Sequence, residues 1–331
     1  MSKSKLEARP IRWGIIGTGY IARLFAQALQ SMDDADLIAV GSRTQASADA
    51  FAKEFNVRHC HASYAALAAD AEVDIVYIAT PHALHKDNSI LCLDAGKAVL
   101  CEKPFTINRA QSEEVIRVAA KNKRFLMEAM WTRFIPAVQQ AIAWIREGAI
   151  GDVRMVQASF GFRDHEEKLF NPALGGGSLL DVGIYPITLA HLAFGGPPTR
   201  IQSLPTLGKN GVDEQAGILL GHKNGGLAIL ASAIQTQTPH EAVIMGTEGM
   251  IRLHDTFWNA TNVSLIPVEG KTQTKSFPFY CNGYEYEARE AQACLRAGWM
   301  ESEIMPHRIT LEIMDTLDAI RAQWGLRYPM E

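Results

Sequence analysis

The hydrophobic pattern changes its period once along the chain, near Glu128. Before that point, short apolar runs suited to buried strands occur at residues 11–16, 36–40, 74–79, 98–101 and 125–127. Between them lie stretches with helical spacing. In residues 20–30, for instance, Ile21, Leu24, Phe25, Ala28 and Leu29 fall on one face. Further helices are predicted over 46–55, 84–95 (closed by Gly96) and 110–122. Strands that alternate with helices predict βαβ units and a doubly wound parallel sheet. After a helix at 136–146 the runs become longer and strand-like, at 153–162, 214–220, 227–234, 242–245 and 250–253. The residues Gly246-Thr247-Glu248-Gly249 read as a turn between the last two, and helices at 286–296 and 310–324 close the chain. Consecutive strands predict an open, mostly antiparallel mixed sheet in a C-terminal α+β domain.

A chain of 331 residues is long enough for two domains at about 100–200 residues each. The expected division is 1–128 and 129–331, with no Pro- or Ser-rich linker between them. With 47% hydrophobic and 21% charged residues the chain is not an extended disordered protein. Thirty-two basic against 36 acidic side chains, a formal charge of −4, argue against a nucleic-acid partner, which needs a basic stripe. The apolar stretches at 74–80 and 179–194 fall short of the ~20 residues needed to cross a membrane, so no membrane partner is expected. The polar start MSKSKLEARP does not read as a secretory signal. Five cysteines with no regular spacing suggest free thiols and a cytoplasmic location.

The densest local signal is Gly17-Thr18-Gly19-Tyr20-Ile21-Ala22, set between a predicted strand and a predicted helix. That context makes it a dinucleotide-binding fingerprint and the first domain a Rossmann domain. Gly17 allows the tight turn, Gly19 lets a pyrophosphate approach, and Ala22 keeps helix and strand close. The helix N-terminus offers free N–H groups and positive potential. An NAD site places a carboxylate after the second strand, but here the chain reads Gly41-Ser42-Arg43-Thr44. Arg43, with the hydroxyls of Ser42 and Thr44, suits a 2′-phosphate, so NADP is the expected cofactor, with NAD possible.

Ligands of doubly wound sheets bind outside the carboxyl ends of the strands. The turn Thr80-Pro81-His82, with His85 three residues on, should therefore face the cofactor, as should Glu102-Lys103-Pro104. The bland alternative for the histidines is a surface imidazole at a helix start. A desolvated Lys103 beside other positive charge has a lowered pKa and can hydrogen-bond a reacting oxygen. The pairs His82/His85 and His59/His61 lack further ligands at metal-site spacing, and no metal is assigned. In Gly175-Gly176-Gly177-Ser178-Leu179-Leu180-Asp181-Val182-Gly183-Ile184-Tyr185, three glycines leave room for a ligand to pass closely. Asp181 and Tyr185 are spaced i, i+4, so on a helix they share a face. His191 reads as a buried structural histidine.

Taken together and in order, GTGYIA, TPHALH, EKP and GGGSLLDVGIY resemble the glucose–fructose oxidoreductase/inositol dehydrogenase (Gfo/Idh/MocA) family over nearly the whole chain. The segments EKPFTIN, FLMEAMWTRFIP and GTEGMIRL are most similar to its dimeric dihydrodiol dehydrogenase and NADP-dependent D-xylose dehydrogenase branch. The resemblance implies that Lys103 and Tyr185 sit beside the nicotinamide and that Pro104 follows a cis bond. It implies too that Trp131, Arg133 and Phe160 border the substrate, and that the open sheet serves a homodimer or higher homo-oligomer. For Trp131 and Arg133, hinge packing is the competing reading.

The chemistry expected is hydride transfer between the nicotinamide and a secondary alcohol or hemiacetal carbon. Tyr185 would act as acid/base, its ordinary pKa of ~10 lowered by Lys103, and Asp181 would orient Lys103 or substrate. The roles of Tyr185 and Lys103 could be exchanged. The favoured substrate is a pyranose sugar oxidised at C1. The alternatives are a trans-dihydrodiol and, in another class, a non-catalytic NADP-sensing regulator. Retention of both Lys103 and Tyr185 favours an enzyme.

Overall fold

The structure is a computed structural model that describes residues 9–331. The chain forms two compact units. The first contains residues up to Thr106, Ala110–Trp131 and Phe279–Thr310, and the second Ile107–Arg109, Thr132–Pro278 and Leu311–Glu331.

The first unit is built on six parallel strands, β1 (Ile11–Ile16), β2 (Ala35–Gly41), β3 (His59–His61), β4 (Ile75–Ile78), β5 (Ala98–Glu102) and β6 (Leu126–Ala129). Their order, β3-β2-β1-β4-β5-β6, reverses direction between β1 and β4. That reversal is the switch point of a doubly wound sheet. β1 and β4 are covered on both faces, which explains their near-continuous apolar sequences. Helix α1 (Tyr20–Gln30) buries Phe25, Ala28 and Leu29 of the stripe its spacing predicts, together with Ala22 and Ala26, while Ile21 and Leu24 are only half-buried. Strand β3 escapes the sequence pattern because it has only three residues, too few for any period.

The expected division at 128/129 requires a correction: the chain re-enters the first unit over Phe279–Thr310. Helix Tyr284–Ala297 buries Tyr284, Ala288, Ala291 and Cys294 and packs against α1. The buried Trp13 Nε1 donates to Gln292 Oε1 (3.2 Å), and Gln292 Nε2 donates to Asp34 (3.0 Å). Helical periodicity shows that a helix is amphipathic but not which sheet it covers. We expect Gln292→Ala to orphan the Trp13 N–H and destabilise this unit by about 1–3 kcal/mol. A urea unfolding midpoint equal to that of wild type would contradict the pairing.

The second unit holds an eight-stranded sheet of β7 (Val153–Gly161), β8 (Arg200–Leu207), β9 (Asp213–Gly221), β10 (Leu227–Ala233), β11 (Ala242–Gly246), β12 (Gly249–Leu253), β13 (Asn262–Pro267) and β14 (Gln273–Ser276). Their order is β14-β13-β12-β11-β7-β10-β9-β8. Only β7 and β10 pair in parallel, so the sheet is mixed and mostly antiparallel, as expected. Edge strands β8 and β14 and the neighbouring β13 were not predicted; β8 alternates exposed with half-buried positions and contains Pro205. Helices Pro136–Arg146 and Ile184–Phe194 pack on the sheet. Ile184–Phe194 is apolar on all sides and almost wholly buried, so the apolar run ending at Phe194 belongs to the interior of this unit. Strand alternation leaves Leu204, Leu219, Ile229 and Met250 exposed.

Candidate functional site

Gly17 joins three strand ends in the first unit. Its N–H donates to Gly41 O at 3.0 Å, at the end of β2. Its φ is +107°, and a Cβ there would stand 2.5 Å from Ala79 O, just past β4. Only glycine fits such a turn. At Gly19 a Cβ would meet no protein atom within 4 Å, and α1 begins there without a side-chain cap. The first-turn N–H groups are therefore left without an internal side-chain acceptor, and the space in front of them is open. These features fit a pyrophosphate. Thr18 and Ile21 are half-buried and Tyr20 is exposed.

Ser42, also at this edge, is buried and donates its N–H to His61 O (3.1 Å). Arg43 is exposed, and its charge reaches the Tyr64 phenol, whose pKa burial raises and Arg43 lowers. Thr44 caps the next helix, α2 (Gln45–Phe55), by accepting from Ser47 N, so its hydroxyl already has a structural task.

Thr80 is buried, and its Oγ1 accepts from Asn88 Nδ2 (3.1 Å); Pro81 beside it is exposed. His85 requires a correction, because it is not a surface imidazole. It is fully buried, with Nδ1 2.8 Å from Pro104 O and Nε2 2.8 Å from Thr80 O. Burial lowers its pKa against the pull of those carbonyls, and the Lys103 charge lowers it further. With both nitrogens engaged by the chain, His85 is a strut between two turns.

The Lys103–Pro104 bond is cis, as the resemblance implies. Glu102 is buried, accepts from the Tyr77 hydroxyl, and takes the Lys103 N–H at 3.1 Å. Glu128 Oε1 accepts from Phe105 N (3.1 Å) and fixes the far side of the turn. Glu287 lies in the same interior. Its carboxylate oxygens have no hydrogen-bond partner among the described residues, and burial followed by the charge of Glu102 holds its pKa well above the ordinary value. Trp131 is buried and stacks on Tyr284 at 4.4 Å.

In the second unit Tyr185 is 5% exposed and belongs to an aromatic cluster. Its ring lies 5.5 Å from Phe160, which stacks face to face on Trp258 at 3.4 Å. His240 meets both Phe160 (5.4 Å) and Trp258 (4.7 Å) edge-on, and its Nε2 lies 2.7 Å from Gly161 O. Asp181 is half-exposed, in a π-helical turn (Leu179–Gly183) that leads into Ile184–Phe194. Such turns recur at functional sites. Arg133 is buried, and its carbonyl accepts from Gln139. His191 is the structural histidine expected, paired with Glu312 at 2.7 Å.

Residues 11–130 match a family model described as an oxidoreductase family with an NAD-binding Rossmann fold, and 138–252 match the GFO/IDH/MocA C-terminal domain. The trans-1,2-dihydrobenzene-1,2-diol dehydrogenases of Xenopus tropicalis and Homo sapiens are each 34% identical. Those alignments cover 96% and 97% of this chain and 99% of each relative. The chain belongs to the GFO/IDH/MocA oxidoreductase family. Among solved structures, an aldose-aldose oxidoreductase from Caulobacter crescentus in complex with glycerol superposes with a TM-score of 0.86 at 25% identity, covering 96% of this chain and 99% of that one. A 3-ketoreductase from Actinomadura kijaniata, solved with NADP and TDP-benzene, gives 0.85 at 27% identity, with coverage of 95% and 98%. As a family member the chain is a dehydrogenase that acts on CH–OH groups and uses a nicotinamide dinucleotide.

Two parts of this GFO/IDH/MocA protein's scaffold were not legible in its sequence. Trp258 and His240 carry no motif and join Phe160 only through the sheet. The glycine run also has a different reason from the one expected. A Cβ at Gly176 would lie 2.6 Å from Leu169 O, and one at Gly177, where φ is +122°, 2.3 Å from Asp213 Oδ1. The close approach is to protein. Asp213 Oδ2 accepts from Ser178 Oγ (2.8 Å) and Leu179 N (2.6 Å), while burial raises its pKa from 3.8 to about 6.

Because the folded pKa lies above the unfolded one, the native state holds the extra proton between pH ~4 and ~6. Stability therefore falls as pH rises through that window, by on the order of 2–3 kcal/mol. Asp213→Asn is expected to flatten this part of the stability–pH profile in denaturant titrations. An unchanged slope would contradict the buried, proton-retaining Asp213.

Proposed function

We propose that the protein is an NADP-dependent dehydrogenase of ring-borne secondary alcohols, with a pyranose oxidised at its hemiacetal C1 as the first choice of substrate. The observation that carries this reading is the Tyr185–Phe160–Trp258 cluster, where a phenol adjoins a flat aromatic surface suited to a sugar ring. In this reading a nicotinamide dinucleotide, when bound, would supply the hydride acceptor. Tyr185 exchanges the hydroxyl proton, Lys103 stabilises the developing oxyanion with positive charge, and Asp181 orients the reacting groups. Gly17, Thr18, Gly19, Tyr20 and Ile21 hold the pyrophosphate, and Ser42 and Arg43 hold the 2′-phosphate, with Thr44 fixing their turn by capping α2. Thr80, Pro81 and Glu102 shape the nicotinamide end. His85 acts there through the turns it ties together, and Trp131 and Arg133 border the substrate.

A trans-dihydrodiol is the second reading, supported by the activity for which the 34%-identical relatives are named. Assays of NADP⁺ reduction against aldoses, inositols and trans-dihydrodiols distinguish the two. With the best substrate, Lys103→Met and Tyr185→Phe should each lower kcat by about 10²–10⁴-fold. Near-wild-type turnover in both would sink the mechanism. Arg43→Ala should cut the NADP/NAD ratio of kcat/KM by roughly 10–100-fold, the worth of a charge-assisted contact. An unchanged ratio would remove Arg43 from the 2′-phosphate.

The exposed stripe of Leu204, Leu219, Ile229 and Met250, in which Leu219 and Ile229 are cross-strand partners, supports association through the open sheet. Leu219→Glu is expected to convert a homodimer into monomer in light scattering. A wild-type monomer, or a variant that stays dimeric, would contradict that use of the sheet. Five free thiols suit a cytoplasmic setting.

A further inference from the structure

At the edge of the parallel sheet, beside the Ser42–Arg43–Thr44 turn, three donor atoms converge. His59 and His61 flank Cys60 in β3, and the two-residue spacing sends both imidazoles to one side of the strand. Asp70, beyond the short helix Tyr64–Ala68, brings a carboxylate to meet them. His59 Nδ1 is 2.6 Å and His61 Nε2 3.0 Å from the same Asp70 oxygen, Oδ2. All three donor atoms lie within 4.8 Å of one another.

We propose that His59, His61 and Asp70 form a binding site for a divalent transition-metal ion of the zinc type, which braces the edge strand β3. Two imidazole nitrogens and one carboxylate oxygen are the donor set that Zn²⁺ and its neighbours favour over Ca²⁺ or Mg²⁺. The carboxylate is held in place before any ion arrives. Asp70 Oδ1 accepts from Glu72 N (2.9 Å), which turns Oδ2 toward the rings. The Lys97 amine donates to the backbone carbonyls of Asp70 and Val73, which fixes the loop and directs that cation toward carbonyls.

The short nitrogen–oxygen separations are those of a hydrogen-bonded trio. An ion ~2.0–2.2 Å from each donor needs donors about 3.4 Å apart. The rings must therefore withdraw by a few tenths of an ångström to just under one. Both can do so, since the His59 and His61 side chains are 29% and 22% exposed. His61 O accepts from Ser42 N, so a bound ion would also steady the backbone next to Arg43.

The test is calorimetric titration of ZnCl₂ into untagged, EDTA-treated and dialysed full-length protein, with thermal melting alongside. The expected result is one ion per chain, a higher Tm with zinc, and at least about tenfold weaker binding in both His61→Ala and Asp70→Asn. His59→Gln serves as a third variant should Asp70→Asn fail to fold. Cys60→Ser should bind as wild type does. No binding by wild type, equal binding by the histidine variants, or loss of binding only in Cys60→Ser would each overturn the site.

Discussion

At Gly17 the backbone passes so close to the carbonyl of Ala79 that a single added carbon would overlap it, while the Gly17 N–H is held by Gly41 O. This contact brings together the carboxyl ends of β1, β2 and β4. Each of those ends carries a segment assigned here to the cofactor: the open space before α1, the Ser42–Arg43–Thr44 turn, and the Thr80–Pro81 turn. The doubly wound order makes the position special, because β1 lies next to the reversal and has a strand on either side. From Thr80 the arrangement extends through the buried His85 to Pro104, and so to the turn that carries Lys103.

The second unit solves a similar problem with a carboxylate. Asp213 fills the space beside Gly177 and accepts from Ser178 and Leu179 at the entry to the π-helical turn. Ionising it in that interior is costly, which is why its pKa rises. The segment that positions Asp181 and Tyr185 thus rests on a carboxyl whose burial shifts its preference toward the protonated form. The same preference holds for Glu287 in the first unit, below the Glu102 turn. Buried acids with incomplete hydrogen bonding are expensive, and both lie under segments to which we assign chemistry.

Much of the fold was legible because its information is local. The strand–glycine–helix sequence at Ile11–Gln30, the absence of a carboxylate after β2, and the change of period past Glu128 each require only neighbouring residues. What was missed depends on distant partners. The return of Tyr284–Ala297 to the first unit is set by Trp13 and Asp34. The buried state of His85 is set by Pro104. Trp258 and His240 reach Phe160 through folding of the sheet. Asp70 reaches His59 and His61 across a short helix, so the spacing of the histidines alone lacked its third donor. The glycines at 175–177 were read as leaving room for a ligand; at Gly176 and Gly177 protein occupies that space, which a sequence does not reveal.

We propose that the three strand ends joined at Gly17 form one dinucleotide site selective for the 2′-phosphate. Equilibrium titration of the wild-type protein with NADP⁺ and with NAD⁺, by calorimetry at one salt concentration, tests it most directly. One site per chain is expected, with NADP⁺ bound at least about tenfold more tightly, a difference of ~1.4 kcal/mol. Equal affinities, tighter NAD⁺, or no binding of either would contradict it.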